Sequence, residues 1–453
     1  MALLYFYLKW HCDFYYIMHS SLIYDNISDL SDFSTQMTKH AMSAYLQFAA
    51  PHDFLHPSTK TGHSMYKYPM FLTLIDSLDT LFIMNLSHYH TAKHFVKHAN
   101  LHQDQNISFF EMNIRVVGGL LGIYALDNDE MYLNKATKFA DALLDTLNDT
   151  KIPYTFINIV GKTGHYPKWT HYNAILSEFT TFQLEYFQLS KLTNNPRYRE
   201  YAESIYHLLF SIPLTYKGVY PSFFNPVNLT FINNHHYSIG AFGDSFYEYL
   251  LKYAILTNNV FYKYKFDEAI LAIINYYTQY QTLPQSHIHD KFDHLTCFLG
   301  GVLALSAYKY PNHASATLHI HYAKEFTDYC WDHYIIQPTG LAPDTAFEYI
   351  AYGPWYKLRP ELVESVFYLY AITKQPKYLK MNFIIMRRIQ MFCYTPHGYM
   401  SVNVITANKR DPQDSWFIAE TLKYLFLTFV SSSSDVVLDH YLLTTQGHFI
   451  PYT

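Results

Sequence analysis

The chain has 453 residues, half of them apolar and 15% charged, with a formal net charge of −5. Such a composition can bury a large core and excludes wholesale disorder, while the acidic balance argues against a nucleic-acid or anionic-membrane partner. Only 15 glycines disfavour folds built on many tight turns or on a phosphate-cradling loop.

The first segment, residues 1–30, stands apart. Residues 1–8 are apolar, but Lys9, His11 and Asp13 then interrupt. With no charged n-region and no small-residue cleavage site, it reads as a poor signal or anchor. Nowhere does an uninterrupted apolar run reach the roughly 18–20 residues of a membrane span. The cysteines Cys12, Cys297, Cys330 and Cys393 form no CxxC, which argues against a thiol redox motif or a zinc ribbon. N-x-S/T sequons at Asn26, Asn85, Asn106, Asn148 and Asn228 permit a secretory route without requiring one.

The rest of the chain is helical by pattern. Helices are predicted at 110–124, 177–192, 245–256, 360–372 and 415–430; in the first, Phe110, Ile114, Val117, Leu121 and Tyr124 keep the i, i+4, i+7 rhythm. Between helices one motif recurs, ending in Tyr132, Tyr198, Tyr262 and Tyr378. In each copy an apolar run stops, polar residues turn (Asp127-Asn-Asp129, Thr193-Asn-Asn195, Thr257-Asn-Asn259, Thr373-Lys-Gln375), and a new helix starts. Pro196 and Pro376 suit a first helical turn. A copy is eroded near Tyr310-Pro-Asn-His313. A period of about sixty residues is that of a helix-pair repeat. Seven pairs would use almost the whole chain, so residues 31–453 read as one all-α domain, a closed ring of helix pairs. Strands are expected only at 399–404 and 441–451, and Ser431–Ser434 as a short loop.

Acidic residues gather at helix starts. Glu111 and Arg115 form an i, i+4 pair on a helix that is apolar nearly all round, which is more suggestive than a surface salt bridge. Ser245 and Glu248 spell a capping box, leaving Asp244 outside the helix. Arg359-Pro-Glu361 opens another helix, where the dipole favours an ionised carboxylate. Glu420 and Lys423 read as an ordinary i, i+3 pair, and His294 alone as a hydrogen-bonded core histidine. Paired carboxylates are the apparatus of glycoside hydrolysis. No HExxH, Walker, GxSxG or EF-hand pattern occurs, so spacing alone supports no metal.

Taken together, Asp76-Ser-Leu-Asp79-Thr-Leu, Phe110-Glu-Met-Asn-Ile-Arg115, Ser177-Glu178, Gly243-Asp-Ser-Phe-Tyr-Glu248, Asp293-His-Leu-Thr-Cys297, Leu358-Arg-Pro-Glu-Leu-Val-Glu364, Glu420-Thr-Leu-Lys-Tyr-Leu425 and the terminal Thr445 resemble class I α-1,2-mannosidases, glycoside hydrolase family 47. The resemblance runs from about residue 35 to the C-terminus, in the family's order. It implies an (αα)7 barrel plugged by a small C-terminal β-hairpin, and calcium-dependent, inverting removal of α-1,2-linked mannose from high-mannose N-glycans. On matched positions Glu111 is the general acid, acting through water. Glu361 is the base, Asp244 joins the catalytic cluster, and His294 holds substrate or base. Arg115 and Arg359 orient carboxylates. Glu178, Glu364 and Glu420 line the sugar site, with Trp416 stacking where the family usually has Phe. Thr445 binds Ca2+ through its hydroxyl and carbonyl, and Cys297 and Cys330 match the family's disulfide.

Three departures bear on function. Phe242 stands where endoplasmic-reticulum members carry Arg and Golgi-type members an apolar residue. Gln446 replaces a substrate-contacting Glu. The N-terminal anchor typical of the family is not recognised, so membrane association would rest on an unrecognised segment. The expected state is a monomer in the endoplasmic reticulum or Golgi lumen. The competing reading from another class is a glycan-binding, lectin-like quality-control protein with reduced catalysis. A third, another toroidal (αα)6 glycosidase, would lack the terminal calcium threonine.

Overall fold

The computed structural model describes residues 27–147, 150–232, 236–280, 291–430 and 433–452. The chain runs through α1 (Ile27–Phe48), α2 (72–83), α3 (His88–His98), α4 (109–127), α5 (Glu130–Asp145), α6 (176–193) and α7 (Pro196–Ser211). It continues through α8 (Asp244–Thr257), α9 (Val260–Tyr280), α10 (294–309), α11 (Ala316–Ile335), α12 (Glu361–Thr373), α13 (Pro376–Phe392) and α14 (417–429). Each even-numbered helix packs on the next even-numbered one, and α14 returns to α2, closing a ring of seven inner helices. The odd-numbered helices form the outer layer; α1 closes it by packing on α14. This is the (αα)7 barrel that the sixty-residue period implied.

The two layers differ in burial as their sequences require. Outer helix α7 buries Tyr198, Ala202, Ile205, Tyr206 and Leu209, one stripe at helical spacing. Inner helix α8 is buried continuously from Ser245 to Ala254, including Glu248 and Lys252. Helix α4 is apolar and long enough to cross a membrane, yet it lies mostly buried inside the ring.

The repeated turns share one geometry. Inner helices α4, α6, α8 and α12 end on a left-handed residue: Asn128, Asn194, Asn258 and Lys374. Asparagine tolerates that conformation best among residues with a side chain, and it stops the helix. In three of the four copies the following residue caps the outer helix: Asp129 accepts from Met131 N at 2.9 Å, Asn195 from Arg197 N at 3.1 Å and Asn259 from Phe261 N at 3.0 Å, while Gln375 makes no such bond. Each repeat tyrosine is then buried against the ring. At Tyr310 the helix ends without a left-handed residue, which is the eroded copy.

Strands are more numerous than the sequence pattern suggested. Small antiparallel sheets of two or three strands ride on the interhelical loops, and they pair segments too short for periodicity to reveal. Two expected strand regions are present, at 398–403 and in a C-terminal hairpin that pairs Tyr441–Leu443 with Phe449–Pro451. That hairpin packs on α4 and α6 and plugs one end of the ring. Ser433 and Ser434 begin a helix, Ser433–His440, where a loop was expected. The disulfide Cys297–Cys330 joins α10 to α11 with a Cα separation of 5.8 Å. Cys393 is free and buried, and Cys12 and the N-terminal segment to residue 26 lie outside the described residues.

Candidate active site

The starts of inner helices α4, α8, α10, α12 and α14 converge on a cavity of about 310 Å³. Glu111, Arg115, Asp244, Arg359, Glu361, Glu364, Trp416, Glu420, Thr445 and Gln446 all line it, joined by Glu248. A larger cleft of about 380 Å³ lies between α5 and α7, lined by Lys151 and Arg197 and by no carboxylate. It offers no acid–base pair, so the chemistry is assigned to the inner cavity.

Glu111 enters at the start of α4, where the Ser108 side chain accepts from its backbone N–H at 3.2 Å. The next turn, Met112–Val117, is a widened π-helical turn, a form that often marks functional sites. Arg115 Nε donates to Glu111 Oε2 at 2.6 Å, and its other nitrogen donates to Asp76 Oδ2 at 3.3 Å and Ser415 Oγ at 2.7 Å. A second π-helical turn, Phe417–Leu422, carries Glu420.

Glu361 is the first residue of α12, directly after Pro360. His294 Nδ1 lies 2.7 Å from its Oε2, and Arg359 Nη1 lies 3.6 Å from its Oε1. His294 is itself fixed by the Tyr334 hydroxyl at 2.7 Å. Arg359 is anchored by Asp344 at 2.7 Å. The Trp416 ring lies under both guanidinium groups, 5.4 Å from Arg115 and 5.8 Å from Arg359.

Asp244 is the first residue of α8, with Oδ1 accepting from Ser245 N at 2.8 Å. The capping box read from the sequence does not form. Ser245 Oγ instead meets Thr181 Oγ1 at 2.8 Å, and Glu248 pairs with Lys252 in the barrel interior. Buried Lys252 outcompetes a cap because an unpaired interior charge is the costlier alternative. Likewise Lys423 reaches Asp79 at 2.8 Å and the Gly447 carbonyl at 2.5 Å rather than Glu420.

The carboxylates are crowded in a dry space. Burial pushes Asp244 up to about 8, opposed by the Ser245 N–H and reinforced by Asp293, Glu248 and Glu361. Burial pushes Glu364 to about 8 despite Lys252. Glu420 rises well above the carboxylate range through burial and the nearby Glu361 and Glu364 charges. Glu178, on the first turn of α6, is pushed to about 7 by burial and by Glu111's charge. Neither Glu178 nor Phe242 is among the lining residues. Phe242 adopts φ 80°, and its ring lies 5.7 Å from each of Trp169, Phe223 and His236.

Among the described residues no group of three or more His, Cys, Asp or Glu is arranged to hold a metal. The donors that would serve are of another kind. Thr445, on the hairpin turn at the cavity, carries a hydroxyl and a backbone carbonyl, and Gln446 beside it, whose buried amide nitrogen has no protein partner, carries an amide oxygen. Such oxygens, in a cavity lined by several carboxylates and no thiol, suit a hard oxygen-binding cation held partly through waters.

Sequence reasoning missed several of these groups. Asp344 and Asp414 carried no local signal, whereas Lys252 closes the motif that starts at Gly243, four residues after Glu248, and received no role. Burial pushes Asp414 to about 7 against the pull of Arg115 and Arg359. Asp76 lay within a quoted motif but received no role, although the run Asp76-Ser-Leu-Asp79 on an apolar helix could have flagged it.

The glycosyl hydrolase family 47 profile matches residues 37–452. Among curated relatives, the Drosophila melanogaster mannosyl-oligosaccharide alpha-1,2-mannosidase IA is 35% identical over 92% of this chain and 66% of its own length. The human endoplasmic reticulum mannosyl-oligosaccharide 1,2-alpha-mannosidase is 32% identical over 91% of this chain and 62% of its own. The chain therefore spans less than two thirds of the length of these two relatives. Among solved structures, the alpha-1,2-mannosidase from Trichoderma reesei superposes with a TM-score of 0.85 at 22% identity, covering 94% of this chain and 99% of that one. That likeness bears on the fold. The family profile, spanning nearly the whole ring, and the relatives above 30% identity agree: the chain belongs to glycosyl hydrolase family 47.

Proposed function

We propose that the protein is an inverting, calcium-dependent α-1,2-mannosidase that trims terminal mannose from high-mannose N-glycans. The observation that carries this is the convergence of Glu111, Asp244 and Glu361, from three different inner helices, on one cavity with an arginine beside each glutamate. Glu361, oriented by His294 and Arg359, accepts a proton from the attacking water. Glu111, held by Arg115, protonates the leaving oxygen through a second water, and the attacking water takes the room that inverting enzymes leave between acid and base. Asp244, protonated up to about pH 8, is a second candidate proton donor. Glu178, Glu364, Glu420 and Gln446 bind sugar hydroxyls, and Trp416 offers an apolar face for stacking.

Calcium would be held by the Thr445 hydroxyl and carbonyl with waters filling its shell. When bound, it supplies a fixed positive charge that orients sugar hydroxyls and water. Residues 31–453 form the catalytic domain and act as a monomer. The disulfide, together with exposed sequons at Asn85, Asn106 and Asn228, supports a lumenal site in the endoplasmic reticulum or Golgi. Phe242 offers stacking where an arginine would donate hydrogen bonds, so the enzyme is expected to trim several α-1,2-mannoses, and Phe242→Arg to narrow the product range.

The test is incubation of the purified protein with a nine-mannose oligosaccharide, with and without chelator, reading released mannose and its anomer. Release of β-mannose, lost on chelation and restored by calcium, is expected. Binding without release would favour the lectin-like reading, which the intact acid–base set argues against.

A further inference from the structure

The deepest buried charges of the ring have no part in the mechanism above, yet they form one connected chain. His448, fully buried on the C-terminal hairpin, places Nε2 3.2 Å from Asp76 Oδ1 and Nδ1 3.0 Å from Asp79 Oδ2. Both ring nitrogens therefore face carboxylate acceptors, the arrangement of an imidazolium that donates twice. Asp76 continues to Ser415 and, at 3.3 Å, to Arg115, which holds Glu111 at 2.6 Å. On the other side, the Asp79 carboxylate holds Lys423, whose ammonium donates to the Gly447 carbonyl in the turn after Thr445. The same turn is closed by His448 N donating to Thr444 Oγ1 at 3.1 Å.

The sequence of α4 is shaped around this histidine. A Cβ on Gly122 would come within 2.9 Å of His448 Cβ, and a Cβ on Gly118 within 3.3 Å of the imidazole. The glycines therefore admit the hairpin to the helix backbone. Burial lowers the histidine's proton affinity, but Asp79 and Asp76 more than offset it, and the net shift is upward.

We propose that His448 and Asp76 are positioning residues that tie the Thr445 turn to the Arg115–Glu111 pair, so that cation binding at the turn and placement of the acid are linked. The proposal rests on the family reading of Thr445 and Glu111. Removing the bridge loosens both ends, and linkage makes each end report on the other. Asp76 and His448 do not line the cavity, and act through Arg115 and through the turn.

The experiment measures calcium affinity by titration calorimetry alongside kcat and KM. His448→Asn carries one amide that cannot span both aspartates. It should weaken calcium binding and lower kcat by about tenfold each, within the usual range of coupling between sites, with KM little changed. In a Glu111→Gln background the same substitution should lower the residual rate no further. Calcium affinity equal to wild type, or rate losses that simply multiply, would overturn the proposal. Where His448→Asn fails to fold, the double variant Ser415→Ala/Asp76→Asn decides, since it removes both the hydroxyl between Asp76 and Arg115 and the charge that pairs them directly at 3.3 Å. Weaker calcium binding in that variant supports the linkage, and unchanged binding overturns it. A wild-type protein that binds calcium but leaves mannose intact would overturn the proposed activity, while the calorimetric comparison would still decide the linkage.

Discussion

Inner and outer helices begin with similar chemistry and end up doing different work. The outer helices α5 and α7 start with Asp129 and Asn195, whose side chains accept from backbone N–H groups two residues on. The inner helices α4, α6, α8 and α12 also start with acidic residues: Glu111, Glu178, Asp244 and Glu361. None of these four side chains caps its helix in that way. Of the four, Glu111 bonds to Arg115 one turn further along α4, and Glu361 to His294 on the neighbouring inner helix α10. An acidic residue near a helix N-terminus is favoured by the dipole in either layer. Closure of the ring buries one set together and leaves the other near solvent, and only crowding in a dry space turns carboxylates into an acid–base set.

The contrast is broken most sharply at the inner layer. Glu361→Gln and Glu111→Gln should each lower the turnover of oligomannose roughly 10²–10⁴-fold with oligosaccharide affinity largely kept. Near-normal turnover in both would return these residues to the capping role of their outer counterparts. Next in size is the covalent tie between the layers. Cys297→Ser should cost about 3 kcal/mol of stability, read as a lower denaturant midpoint. An unchanged midpoint would mean that packing alone joins α10 to α11.

Outer caps should show the reverse pattern. Asp129→Ala or Asn195→Ala should cost about 1 kcal/mol and leave kcat unchanged, so a fall in kcat without a fall in melting temperature would erase the distinction between layers. The remaining test is read against pH. Asp244 keeps its proton in the folded protein up to about 8, against an ordinary value of 3.8. The unfolded chain loses that proton first, so this residue removes stability as pH rises from about 4 to 8. Asp244→Asn should therefore gain in melting temperature over the wild type between pH 5 and 8. Parallel pH curves would show that Asp244 is ionised in the fold.

Much of the fold was legible because it rests on local rules. The left-handed asparagines, the proline starts of α7 and α13 and the buried tyrosines all act within one turn of the chain, so their spacing announced the helix pairs. The strands on the loops did not announce themselves, since two or three residues carry no usable period. Of the site, the motif residues could be matched by resemblance, and the cavity gathers most of them. Their partners could not be matched. Ser245 and Glu248 look like a capping box over four residues, and only the presence of Lys252 inside the ring shows why that box gives way.

By itself, the sequence determined the repeat, the helical period, the covalent partners available and the identities of the carboxylates, because these depend on neighbours along the chain. The tertiary structure alone decided which carboxylates lose water, that Lys423 answers Asp79 and Gly447 rather than Glu420, and that His448 bridges two aspartates more than 360 residues away. Those outcomes depend on electrostatic energies that become large only where ring closure has excluded solvent. No stretch of chain carries that condition until the first inner helix meets the last.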